Sequence, residues 1–173
     1  GQMHVAIKPR QEHELRTWAH ELQSNYGYGS IRFVEREEMR SLVASERYLS
    51  GTFDSASGHL HPLNYTLGLA AAAVRAGVRI FEGSRALSFE RGSTVRVTTS
   101  RGEVRCAHLA LCGNAYIGGT APALARKIMA VGTYVIATEP LGAERAAALI
   151  RNNAAVTDIN WVLDYFRRSA DHR

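Results

Sequence analysis

Two cysteines, four prolines and two lysines are all that the 173 residues contain of those types. No disulfide framework can be built from so few thiols. Placed on one strand, Cys106 and Cys112 would lie ~20 Å apart, six steps of ~3.3 Å, whereas a disulfide needs less than ~7 Å. That agrees with a reducing compartment and a cytoplasmic location. No apolar run approaches the ~18 residues of a membrane span, and no charged N-terminal stretch leads into an apolar one as in a signal peptide. The basic residues are nearly all arginine, with Lys8 and Lys127 the exceptions. The formal net charge of +5 is scattered, since Arg32, Arg36 and Arg40 alternate with Glu35, Glu37 and Glu38. Without a Lys/Arg stripe interleaved with aromatics, a nucleic-acid partner ranks last.

What is present is an ordinary globular composition, 46% hydrophobic and 21% charged, in a chain long enough to bury a core. Residues 10–25 carry Leu15, Trp18, Ala19 and Leu22 at helical spacing, and Gly27 and Gly29 end the helix. Ile31–Val34 is expected as a strand, residues 35–44 as a helix with Met39, Leu42 and Val43 inward, and residues 48–54 as an extended segment before a turn at 54–58. Pro62 opens a helix with Leu63, Leu67, Ala70, Ala71 and Val74 on one face and Gly77 at its end. Val78–Phe81 follows as a short apolar strand, which with the helix forms half of a βαβ unit and implies a parallel sheet.

Residues 86–90, 94–99 and 103–106 then alternate apolar and polar and read as a three-stranded antiparallel meander. Its last strand is expected to run on into Leu109–Cys112, a central parallel strand buried on both faces, with Cys112 a buried and inert thiol. Further helices are expected at 122–129 and 143–151, and further strands at 133–138 and 155–163. His59 and His61 lack a third ligand at zinc-site spacing and read as ordinary loop histidines. Gly118-Gly119 reads as a turn, because no Gly-x-Gly-x-x-Gly surrounds it. On residues alone this is an α/β piece with a parallel strand and an inserted meander.

Three stretches carry a resemblance: Ser57-Gly-His-Leu-His-Pro-Leu-Asn-Tyr-Thr-Leu-Gly-Leu-Ala, Ala76-Gly-Val-Arg-Ile-Phe-Glu-Gly-Ser, and Leu109-Ala-Leu-Cys-Gly-Asn-Ala-Tyr. They resemble the D-amino-acid-oxidase superfamily of FAD-dependent enzymes. Residues 131–142 and 158–168 narrow the resemblance to gamma-glutamylputrescine oxidases. The fold this implies is α/β (α+β): part of a two-dinucleotide-fold FAD-binding domain with an antiparallel meander, plus part of a mixed-sheet substrate domain. Residues 1–57 would begin the substrate domain, 58–118 would form the middle of the FAD-binding domain, and 119–173 would return to the substrate domain.

The resemblance also implies roles. Ser84, Arg85 and Ala86 would lie by the adenosine, and Cys112, Gly113, Asn114 and Tyr116 by the ribityl-pyrophosphate region. Gly58 and His59 would stand near the flavin ring and substrate entrance, with Asn160 and Tyr165 facing the pocket. No catalytic acid or base is named, and no metal is expected. The parent reaction would be oxidation of a primary or secondary amine, putrescine-derived, with electrons passing through FAD to oxygen. A dehydrogenase of the same fold and a non-catalytic binding module are the alternatives. The family opens with a Gly-x-Gly-x-x-Gly pyrophosphate cradle and closes with a further glycine-rich flavin segment. Neither is present, so the chain reads as the middle of a longer enzyme, inactive alone and without FAD. Its exposed sheet edges would favour a homodimer or domain swap.

Overall fold

Gln2–Ala6, which the sequence reading passes over, forms strand β1 at the centre of a five-stranded mixed sheet. The structure, a computed structural model, describes residues 1–173. The chain divides into two compact units: Gly1–Tyr65 with Ile136–Arg173, and Thr66–Val135.

In the first unit the remaining strands are β2 (Ile31–Val34), β3 (Ser50–Asp54), β7 (Ala155–Asp158) and β8 (Tyr165–Phe166), in the order β2-β3-β1-β7-β8. β1 pairs antiparallel with β3, from Gln2 opposite Asp54 to Ala6 opposite Ser50. On its other edge it runs parallel to β7, with Met3 beside Val156. The side chains of β1 alternate between two faces, as a pleated strand requires. Met3 and Val5 join Val34, Met39, Val43, Tyr48, Ile150, Ala154 and Val156 in the core. His4 meets the edge of Trp18, ring centroids 5.2 Å apart, beneath helix α1 (Pro9–Tyr26).

Helix α1 begins where Pro9 is tolerated, at its first residue. The Gln11 side-chain oxygen reaches back to accept the backbone N–H groups of Ile7 and Lys8, at 2.8 and 2.9 Å, satisfying donors that a helix start leaves free. It ends at Gly27, left-handed at φ 63°. Helix α2 (Arg36–Leu42) buries Met39, as expected. Its end is stitched to helix α5 (Ala143–Leu149): Ala44 N–H donates to Leu149 O, and Arg151 N–H to Leu42 O, both at 2.9 Å.

The second unit carries most of helix α3 (Pro62–Arg75) and the meander β4 (Ala86–Glu90), β5 (Val95–Thr99) and β6 (Gly102–Cys106). The meander is antiparallel and in the expected order. Two single turns of 3₁₀ helix, Asn114–Tyr116 and Gly118–Thr120, lead to a short helix α4 (Pro122–Ala125). No helix is long and apolar enough to cross a membrane.

Several expectations are corrected. Val78–Phe81 and Leu109–Cys112 form no strand, and neither does Thr133–Thr138. A strand exists only through a hydrogen-bonded neighbour, and none of the three finds one within this chain. The parallel pairing inferred from the helix-Gly-strand unit instead joins β1 to β7. Cys112 is exposed, not buried, because the strand meant to enclose it is absent; both cysteines are free thiols. The helix at 122–129 shrinks to one turn, and the strand at 155–163 ends at Asp158.

Two neighbouring positions on β3 give opposite expectations. A β-carbon at Gly51 would strike the His4 carbonyl oxygen and lie 2.7 Å from Met39 Cε. Gly51→Ala should therefore destabilise the chain by about 2 kcal/mol or more in urea unfolding, because the β1–β3 ladder must open to admit it. The hydroxyls of Ser50 and Thr52 are buried with no hydrogen-bond partner. Thr52→Val replaces the orphan with a methyl and should leave stability unchanged or raise it by about 1 kcal/mol; a clear loss in the same titration would contradict the orphan assignment.

Asp54 ends β3 and organises the turn that follows. It accepts the Tyr28 hydroxyl at 2.9 Å, Ser57 Oγ at 2.6 Å and the backbone N–H groups of Ala56 and Ser57. Burial alone would raise its pKa, but the donors of Ser57, Tyr28 and Ala56 together outweigh it and hold the carboxyl below its usual value. Such a group stabilises the fold above its unfolded pKa of ~3.9 and loses that contribution as pH falls through the lower folded value. Tyr28→Phe removes one donor. The variant should melt lower than the parent at neutral pH, with the difference closing in acid below about pH 3, as a melting series against pH would read directly.

Candidate functional site

The expected site residues fall into two groups, one in each unit. In the second unit, Ala86 opens β4, and its carbonyl accepts the Thr120 hydroxyl at 2.8 Å. Arg85 O takes the Ser100 N–H at 2.9 Å, and the Ser84 hydroxyl donates to Glu82 O at 3.4 Å. Residues 84–86 thus meet the turn at 118–120. Thr120 was not anticipated; a hydroxyl directly after Gly118-Gly119 is the only signal for it.

The bend at 113–121 is tightly wound. Tyr116 N–H donates to Gly113 O at 2.9 Å, and Thr120 N–H to Ile117 O at 3.2 Å. Ile117 and Ala121 are buried and pin it. A β-carbon at Gly113 would sit 3.2 Å from Ile117 Cα, so the close turn favours glycine. Asn114 adopts φ 46°, a left-handed conformation asparagine tolerates. Cys112 is exposed beside it, and Tyr116 is 94% exposed.

The Arg85 side chain lies by Gly118 and that of Arg101 by Gly83, and neither pairs with a carboxylate. Arg96, farther along the meander, pairs with Glu90 and Glu103, and Arg105 with Glu103. The unpaired Arg85 guanidinium and the open backbone at Gly119, where a β-carbon would meet nothing within 4 Å, can receive an anion. No acid–base couple is present there.

In the first unit, Asp54 sets the turn leading to Gly58, where a β-carbon would also meet nothing within 4 Å. His59 Nε2 lies 2.8 Å from Asn153 O, which can only accept, so Nε2 carries the proton. Nδ1 is then free to accept from Arg167 Nη1 at 3.3 Å. Asn153, itself left-handed at φ 52°, also receives Arg168 Nε at 3.2 Å on its side-chain oxygen. His61 behaves differently from His59: its Nδ1 accepts Asn64 N–H at 3.3 Å and caps the start of α3. No three His, Cys, Asp or Glu side chains converge as a metal site.

Asn160 is fully engaged. Its N–H and Nδ2 donate to the buried Asp158 carboxylate at 3.0 and 2.9 Å, and its Oδ1 accepts Gln11 Nε2 at 3.1 Å. Asp164 N–H and, at 3.9 Å, the Arg47 guanidinium complete the shell around Asp158. Tyr165 lies exposed on the edge strand β8, opposite Thr157. His59 is thus tied to Asn153 and Arg167, whereas no contact joins it to Asn160 or Tyr165.

The sequence profile of the DAO family, FAD dependent oxidoreductase, matches residues 1–173. A probable oxidoreductase OrdL of Haemophilus influenzae is 39% identical over 178 residues, covering 100% of this chain and 41% of that protein. The gamma-glutamylputrescine oxidoreductase of Escherichia coli is 35% identical, with the same two coverages. The chain thus spans well under half the length of these relatives. Among solved structures, glycine oxidase from Geobacillus kaustophilus superposes with a TM-score of 0.72 at 15% identity, over 99% of this chain and 45% of that one, a likeness of fold. With the family profile matched along its whole length, the chain belongs to the DAO family of FAD dependent oxidoreductases.

Proposed function

We propose that this chain is the central part of a flavin-dependent amine oxidase acting on a gamma-glutamylputrescine-like amine. The observation that carries this reading is 35% identity, along the entire chain, to a gamma-glutamylputrescine oxidoreductase. FAD, when bound, would supply the two-electron acceptor for oxidation at the carbon beside the amine, with oxygen as the final acceptor.

The residues present fit part of a flavin site. The bend at 113–121 offers close-approach backbone, and Arg85 beside it lacks a carboxylate partner, which suits a ligand with a negatively charged diphosphate. Ser84, Arg85 and Ala86 would serve the adenosine end, and Cys112, Gly113, Asn114 and Tyr116 the ribityl-pyrophosphate end. Thr120, by holding the Ala86 carbonyl, would fix the spacing between the two segments. Gly58 and His59 would stand on the substrate side, with Tyr165 a further candidate. Asn160 would serve by bracing the β7–β8 turn through Asp158.

No Gly-x-Gly-x-x-Gly occurs in the 173 residues, so the chain contains no helix-start cradle for the pyrophosphate. We infer that residues 1–173 alone neither retain FAD nor oxidise amines. Val78–Phe81 and Leu109–Cys112, apolar and unpaired here, would pair with strands outside this sequence in a complete flavin domain. A dehydrogenase that passes electrons to a carrier, and a module without chemistry, remain the competing readings.

Two measurements decide among these readings. Mixed with equimolar FAD and passed over a desalting column, the chain should emerge without a bound-flavin spectrum; stoichiometric retention would overturn the inactivity. The gene's full-length product should release peroxide with gamma-glutamylputrescine as substrate. Electron transfer only to an artificial carrier would favour the dehydrogenase, and no turnover of any amine the binding module.

A further inference from the structure

A cavity of about 310 Å³ opens in the first unit between β8, helix α5 and the end of helix α2. Its walls are apolar, formed chiefly by Val43, Tyr48, Leu149, Ile150 and Phe166. Tyr48, only 5% exposed, stacks on Phe166 with centroids 6.1 Å apart and planes 22° from parallel. The volume sits at the lower end of the roughly 300–1,000 Å³ typical of small-molecule sites.

Arg167 and Arg168 also line this cavity. Both are half-buried, and neither has a carboxylate partner. Elsewhere in the unit, Arg16, Arg32 and Arg47 pair with Glu35, Glu38 and Asp164, Arg173 on the cavity rim pairs with Asp171, and the arginines without a carboxylate partner, Arg10, Arg36, Arg40, Arg145 and Arg151, are exposed. Arg167 makes one contact, to His59 Nδ1, and Arg168 one, to Asn153 Oδ1. Each guanidinium has five N–H donors, so most remain unused. The single contacts hold both groups in place without neutralising them. Partly desolvated cations beside an apolar wall are costly unless an anion meets them.

A ligand that satisfies this arrangement is anionic at one end and aliphatic at the other. Inorganic anions would leave the apolar walls unfilled, and a neutral alcohol would leave the guanidiniums unpaired. A planar carboxylate matches the fork geometry of arginine. We propose that the cavity is a binding site for a medium-chain carboxylate, its head held by Arg167 and Arg168 and its tail lying against Tyr48, Leu149 and Phe166. This site does not rest on the flavin reading, since neither its residues nor its ligand involve the cofactor.

The test is calorimetric titration of the whole chain with octanoate, with octanol and acetate as comparison probes. Octanoate should bind saturably at one site. Arg167→Ala and Arg168→Ala should each weaken it by about tenfold, the magnitude expected for losing a charged hydrogen bond. Leu149→Trp, which fills the cavity from an exposed wall, should abolish binding with both arginines intact. Octanol and acetate should not saturate over the same range. Circular dichroism matching the parent establishes that each variant is folded, and if Leu149→Trp fails that check the arginine pair decides. Absence of saturable octanoate binding, or equal affinity in parent and arginine variants, overturns the proposal. So does acetate binding as tightly as octanoate.

Discussion

The first unit depends on one strand being gripped from both sides. β1 is antiparallel to β3 along one edge and parallel to β7 along the other, and β7 lies some 150 residues away in sequence. A parallel partner cannot be reached by a hairpin, so everything between them must be accommodated as a crossover. The close approach at Gly51 shows how tightly the antiparallel edge is drawn, with the His4 backbone and Met39 side chain occupying the space a side chain would need. The core of Met3, Val5, Met39, Val43, Ile150 and Val156 assembles only once both edges are paired. Of the pairings in this sheet, the parallel one closes the largest loop and carries the largest entropic cost of closure.

The elements legible in the sequence were those that carry their own periodicity or punctuation. Helix α1 shows Leu15 and Ala19 at helical spacing and stops at a left-handed Gly27. The meander shows two-residue alternation and turns at Gly92 and Ser100–Gly102. The failures share a different cause. Val78–Phe81, Leu109–Cys112 and Thr133–Thr138 have the apolar, β-branched composition of strands, yet composition says nothing about whether a partner lies within hydrogen-bonding reach. β1 is the converse: its alternation of Met3 and Val5 with Gln2 and His4 was present but short. What makes it a strand is β7, whose position no local pattern could announce.

The same division runs through the site residues. Which residues belong to the bend is readable, because Gly113-Asn114 is a turn signal and the family resemblance runs through those positions. What they touch was not. Thr120 reaching the Ala86 carbonyl across 34 residues is a product of how the chain returns after the meander. Asn160 is the instructive case in the other unit. An asparagine beside a strand end looks free to meet a ligand, but a buried Asp158 requires donors, and Asn160 supplies two of them.

Charge pairing then separates scaffold from surfaces left open for a partner. Where an arginine braces the fold, as Arg32 does on Glu38 or Arg96 on Glu90 and Glu103, its charge is met within the chain. Exposed pairs of this kind add little stability, about 0–1 kcal/mol, but they leave no unmatched field behind. Arginines without a carboxylate partner are common on this surface, Arg10, Arg36 and Arg145 among them; what sets Arg85 apart is its place beside the bend at 113–121, and what sets Arg167 and Arg168 apart is their half-burial at one apolar cavity. In both places the cations stand next to a feature that admits another molecule: bare backbone in one, an apolar hollow in the other. An anion with a rigid, backbone-reading head suits the first, and one with a flexible aliphatic tail suits the second, so a single ligand chemistry does not account for both.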